Sequence, residues 1–189
     1  FNLRPDGAWE RGFEYHRQRC YTAEELTVTD STSFGEAELP DGRPCTREVV
    51  EHHGGVCIAP LTDDGCLLFV RQFRYPYMKV VLELPAGKLE KGEDHCEAGK
   101  RELEEEVGAV AKDFGFIGEF FPSPGYCGEI IYLYIARGLT FTHTNPDDDE
   151  YLEIEKIPLQ KAVDMVLAGE IPDGKTQALV LRTAEMLRR

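Results

Sequence analysis

The chain has 189 residues, enough for one domain with a real core and a small appendage. It carries 21 Lys and Arg against 35 Asp and Glu. The resulting formal net charge of -14 excludes a nucleic-acid surface and an anionic membrane as partners, because both demand basic residues. An anionic small molecule remains a possible ligand where cations stand between it and the protein.

In chain order, residues 1–50 are mixed, and FEYHRQRCY and EELTVTDSTSF read as short strands. LPDGR at 39–43 reads as a hairpin turn, with Asp-Gly supplying the backbone angles, and RPCTREVVEHH as the returning strand. GVCIAPL, the turn TDDG and CLLFVRQF form a strand, turn and strand. VVLELPAG, residues 80–87, is a short strand ending in Pro and Gly. Residues 94–107 read as a helix, with Asp94 as N-cap, Glu97 as its capping-box partner and Gly108 as the stop. FGFIGEFF and CGEIIYLYIA are two more strands around the tight segment PSPG, and LEIEKI is a third. DDDE at 147–150 is a solvated loop, and LQKAVDMVLAGE and DGKTQALVLRTAEMLRR are closing helices.

These elements predict an α/β sandwich with helices covering a mixed sheet. Residues 1–50 are expected to form a small strand-rich subdomain, and 51–189 the main domain. The first has few apolar residues, so it is expected to pack on the main domain or on a second copy of the chain. The six cysteines (Cys20, Cys45, Cys57, Cys66, Cys96, Cys127) form no CxxC pair, and several sit in apolar runs. They read as reduced thiols of a cytoplasmic protein rather than a zinc site, and His16, His52, His53, His95 and His143 add no ligand spacing. The numbered chain begins at Phe1, so its natural start is expected to lie upstream; no secretory or membrane-spanning apolar stretch is visible in it.

The most informative segment is GKLEKGEDHCEAGKRELEEEVGAV, residues 87–110. Glu102, Glu105 and Glu106 fall on one helical face. By charge alone such a face is most simply a solvated surface. It also suits a hard cation, since ligands that are all oxygen favour Mg2+, with Mn2+ as the other choice. Gly87, after Pro85 and Ala86, permits close backbone approach at a corner whose carbonyl can act as a further ligand.

Gly87, five residues, Glu93, seven residues, Arg101-Glu102-Leu103, one residue, Glu105-Glu106, one residue and Gly108 resembles the signature of the Nudix hydrolases. Only Ala109 departs from it, standing where a larger aliphatic is usual. The resemblance implies an α/β/α sandwich around a mixed sheet that hydrolyses a nucleoside diphosphate linked to another group. Two or three Mg2+ or Mn2+ ions would be held by Glu102, Glu105, Glu106 and the Ala86 carbonyl. Arg101 would hold the carboxylates, and Glu93 would brace the loop.

Residues 44–138 are similar to the ADP-ribose pyrophosphatase branch, through REVVEHHGG, VRQFRYP, LELPAGKLEKGE and PSPGYCGEIIYLYIA. Pro124 lies sixteen residues past Gly108, as in that branch. The likeness implies ADP-ribose as substrate, with AMP and ribose 5-phosphate as products. Glu129 would be the general base, with Glu105 and Glu106 as the other catalytic carboxylates. Arg74 would contact the substrate phosphates, and Arg47 would reach substrate across a homodimer. Tyr126 and Phe34 are candidates to sandwich the base. Another nucleotide sugar such as GDP-mannose, or a non-catalytic ADP-ribose sensor, remain the alternatives.

Overall fold

The computed structural model describes residues 32–38, 43–142 and 152–189, with backbone alone for 32–38, 46 and 47. The expected strand FEYHRQRCY, the part of EELTVTDSTSF before Thr32, residues 39–42 of the LPDGR turn and the DDDE loop lie outside these residues. Strands β1 (Thr32–Glu38) and β2 (Pro44–Val50) form an antiparallel ribbon with Thr32 opposite Val50.

The main body follows as β3 (Gly55–Pro60), β4 (Cys66–Arg74), a 3-10 turn at Tyr75–Tyr77, β5 (Lys79–Glu83), β6 (Ala86–Lys88) and α1 (His95–Val107). It continues with β7 (Ala109–Phe120), β8 (Ile131–Phe141), β9 (Glu153–Pro158), α2 (Leu159–Leu167) and α3 (Gly174–Arg188). One sheet has the order β6-β3-β8-β7, with β3 and β8 parallel and the other pairs antiparallel. A second, antiparallel sheet has the order β5-β4-β9.

The central strands are buried on both faces. In β3, Val56 and Ile58 pack with Ala98, Leu103 and Val107 of α1. Cys57 and Ala59 point the other way, into a core closed by Ala162 and Val163 of α2 and Leu179 and Val180 of α3. This is why GVCIAPL is apolar throughout rather than alternating. The arrangement is an α/β/α sandwich around a mixed sheet. Among the described residues, no helix is long and apolar enough to cross a membrane.

Two expectations shift. The strand expected at 80–87 is two strands in different sheets, because the chain changes sheet at Leu84–Pro85. Pro85 has no N–H for a ladder, and the Ala86 N–H turns to a side chain of α1. Asp94 does cap α1, accepting from Cys96 N and Glu97 N at 2.9 and 3.1 Å. The Glu97 carboxylate, however, accepts from Lys100 at 2.7 Å instead of closing a capping box, because a cation one turn on is within reach.

Candidate active site

The corner between β5 and β6 organises the site. Ile58 donates its N–H to the Pro85 carbonyl at 2.9 Å, fixing the corner to β3. The next N–H, that of Ala86, is donated to Glu106 Oε2 at 3.0 Å. Glu106 is only 2% exposed, so this bond satisfies a buried carboxylate and ties α1 to the corner. Gly87 follows, and its φ is not positive. Its lack of a side chain makes space: a Cβ there would stand 2.0 Å from the Glu102 carboxyl carbon. Glu102 therefore lies directly over the backbone at Gly87.

Arg101 gathers the remaining carboxylates. Its Nη1 donates to Glu102 at 2.9 Å and to Glu105 at 2.7 Å, and its Nε to Glu93 at 3.0 Å. Glu93 Oε2 also accepts from Glu90 N at 2.9 Å, which braces the loop before α1. The Glu93 hydrogen bond, with Glu102 and Glu105 beside it, holds the guanidinium proton more tightly than usual, and Arg101 in turn holds Glu93 below the usual carboxylate range. Gly108 stands at the far end of the helix, in the left-handed conformation (φ 61°), with its N–H returned to the Glu104 carbonyl at 2.9 Å.

Ala86, Gly87, Arg101, Glu102, Glu105, Glu129 and Arg74 share one cleft of about 760 Å³. Glu106 sits behind the Ala86 backbone, and Glu93 behind Arg101. Glu129 Oε1 lies 3.8 Å from His52 Nε2, while His52 Nδ1 accepts from Gly54 N at 3.0 Å. The loop before Glu129 is stitched to the end of β2: Val50 donates to Tyr126 O at 2.7 Å and Gly128 to Val50 O at 2.9 Å. Tyr126 is exposed. Arg47 lies in β2 opposite Gly35; its side chain and that of Phe34 fall outside the description.

Arg74 has a partner that sequence reasoning missed. Its Nε and Nη2 donate to the two oxygens of Glu83 at 2.7 and 2.8 Å. Glu83 is 2% exposed and also accepts from Lys175, which in turn donates to Asp173 at 3.0 Å. Burial pushes the Glu83 carboxyl up, but Arg74 and Lys175 outweigh it and hold the group below the usual range. The only sequence signal was a charged residue inside the apolar run VVLEL. Nothing local named its partner on α3.

Among the described residues, the side chains that reach the corner offer oxygen: Glu102 lies over Gly87 and Glu106 takes the Ala86 N–H from behind, while Glu105 stands beside Glu102 on Arg101. Such a set, crowded enough to require glycine at 87, fits a hard divalent cation.

The NUDIX domain model matches residues 51–179. The chain belongs to the Nudix family. It is 40% identical over 143 residues to the ADP-ribose pyrophosphatase of Bacillus subtilis (strain 168), covering 75% of this chain and 77% of that protein. It is 31% identical over 156 residues to the GDP-mannose pyrophosphatase of Escherichia coli (strain K12), covering 75% and 80%. The crystal structure of an ADP compounds hydrolase superposes with a TM-score of 0.75 at 23% identity, covering 86% of this chain and 88% of that one, and shares the fold. By family the chain is thus a Nudix pyrophosphohydrolase.

Proposed function

We propose that this Nudix enzyme hydrolyses the pyrophosphate bond of ADP-ribose, giving AMP and ribose 5-phosphate, with Mg2+ as its metal. The observation that carries the reading is the convergence of Glu102 and Glu106 on the Ala86–Gly87 backbone at the cleft wall. Similarity to an ADP-ribose pyrophosphatase supports the substrate.

Glu102, Glu105, Glu106 and the Ala86 carbonyl would hold two or three Mg2+ ions, or Mn2+ in their place. When bound, the ions neutralise the pyrophosphate and make a nearby water easier to deprotonate. Glu129 accepts that water's proton as its oxygen bonds to phosphorus and the P–O–P bridge breaks. Arg74 holds a substrate phosphate, using the donors left after Glu83 takes one edge of its guanidinium. Arg101 keeps Glu102 and Glu105 aimed into the cleft.

Residues 1–50 form a dimer-building arm in this reading, with Arg47 reaching the partner's cleft. The link from Val50 to the Glu129 loop gives that arm a route to the base. A cytoplasmic location belongs to the same proposal, in keeping with free thiols at the five described cysteines. The second reading, GDP-mannose as substrate, rests on the similarity to the GDP-mannose pyrophosphatase. Comparing kcat/KM across ADP-ribose, GDP-mannose and other nucleotide sugars decides between them. A preference for GDP-mannose would replace the first reading with the second.

A further inference from the structure

Two cations and two carboxylates meet at the start of α3: Arg74, Lys175, Glu83 and Asp173. A buried ion network is a poor source of stability, because desolvation offsets the attraction. Its shape suggests a different use. Glu83 grips one edge of Arg74 through two parallel bonds, which fixes the plane of the guanidinium. Lys175 then grips Glu83 Oε2, the oxygen that Arg74 Nη2 uses, so the carboxylate cannot swing about its own axis. Lys175 is itself anchored by Asp173, the N-cap of α3, which accepts from Thr176 N at 2.9 Å. One residue on, Thr176 Oγ1 accepts from Leu84 N at 2.9 Å. The first turn of α3 is thereby fixed to the end of β5 at both Glu83 and Leu84.

We propose that Lys175 is a positioning residue that, through Glu83, holds the Arg74 guanidinium in the orientation that binds a substrate phosphate. This rests on the reading that Arg74 contacts phosphate. Lys175 also balances charge: without it, Glu83 and Asp173 outnumber Arg74 beside a cleft that must accept an anion. Both effects act on substrate affinity.

The test is steady-state kinetics on the full chain with Mg2+ and ADP-ribose, or the nucleotide sugar it turns over best. Arg74→Ala, Lys175→Met and the double variant are compared, with a thermal melt of each. Losing one charge-assisted phosphate contact raises KM by about ten- to a hundredfold. Lys175→Met is expected to raise KM on that scale while kcat stays within about threefold. On the Arg74→Ala background it should add no more than about twofold, because it acts through the missing group. An unchanged KM, with activity lost only in step with folded fraction, would reduce Lys175 to a structural role and overturn the proposal. Effects that multiply in the double variant would also overturn it, by placing Lys175 on the substrate itself. Should Lys175→Met not fold, the near-isosteric Glu83→Gln must raise KM in the parent and not in Arg74→Ala; an unchanged KM overturns the proposal. If Arg74→Ala leaves KM unaltered, the phosphate-contact reading fails first and takes this proposal with it. An impaired Arg74→Ala beside an inert Lys175→Met overturns the proposal alone.

Discussion

Gly87→Ala separates catalysis from folding at the corner. An alanine Cβ would stand 2.0 Å from the Glu102 carboxyl carbon and from Oε1, and 2.5 Å from Oε2. Carbon contacts are comfortable at about 3.5 Å, so the carboxylate must retreat by roughly 1.5 Å. The group struck is the end of a flexible side chain, so the backbone can stay where it is. Gly87 has no positive φ, and replacing glycine at a compatible position tends to stabilise by about 0.4–1 kcal/mol through the unfolded state. That gain offsets the lost Arg101–Glu102 bond, which is partly exposed to water. The melting temperature is therefore expected to stay within about 4 °C of the parent. Activity is not protected in the same way: misplacing a reacting or metal-holding group by an ångström costs about a hundredfold. Thermal melts and steady-state AMP release at saturating Mg2+ read the two quantities. Turnover within about threefold of the parent would refute the claim that Glu102 must lie over this backbone.

Glu106→Gln keeps an oxygen for the Ala86 N–H and is expected to fold normally while losing at least about a hundredfold in turnover; unchanged turnover at saturating Mg2+ would sink the metal-ligand role. Glu129→Gln should cost about 10²- to 10⁴-fold in kcat, and near-full activity would return the base role to the box glutamates. Glu83 has its folded-state carboxyl held low, so its stabilising effect is present above the ordinary carboxylate range and is lost as pH falls through the lowered value. The stability gap between the parent and Glu83→Gln, measured by urea unfolding, should therefore be widest near neutral pH and shrink on acidification; a gap that grows toward acid would contradict the sign. Light scattering is expected to report a dimer, and a monomer would remove the proposed role of residues 1–50 and Arg47.

The carboxylate helix was legible because its information is local. Spacing of three and four residues sets a helical face, and Asp94 and Gly108 mark ends that the structure places at His95–Val107. The two-sided burial of β3 and β8 showed as unbroken apolar runs. The break between β5 and β6 was not legible, because it depends on Glu106, twenty residues away, claiming the Ala86 N–H. Glycine at 87 announced a close approach, but only the fold names Glu102 as the group that approaches. The Glu83–Lys175 pair spans 92 residues, and no periodicity or motif spacing encodes such a meeting. Arg74 stood out in the sequence as a candidate phosphate contact, while the Glu83–Lys175 pair that holds it did not.

The proposed reaction is cleavage of the ADP-ribose pyrophosphate with a divalent metal held at the Ala86–Gly87 corner. Incubating the purified protein with ADP-ribose and Mg2+, with an EDTA-treated control, tests it directly. AMP and ribose 5-phosphate are expected in equal amounts, and neither in the control. Intact ADP-ribose with Mg2+ present, or the same products after the metal is removed, would contradict it.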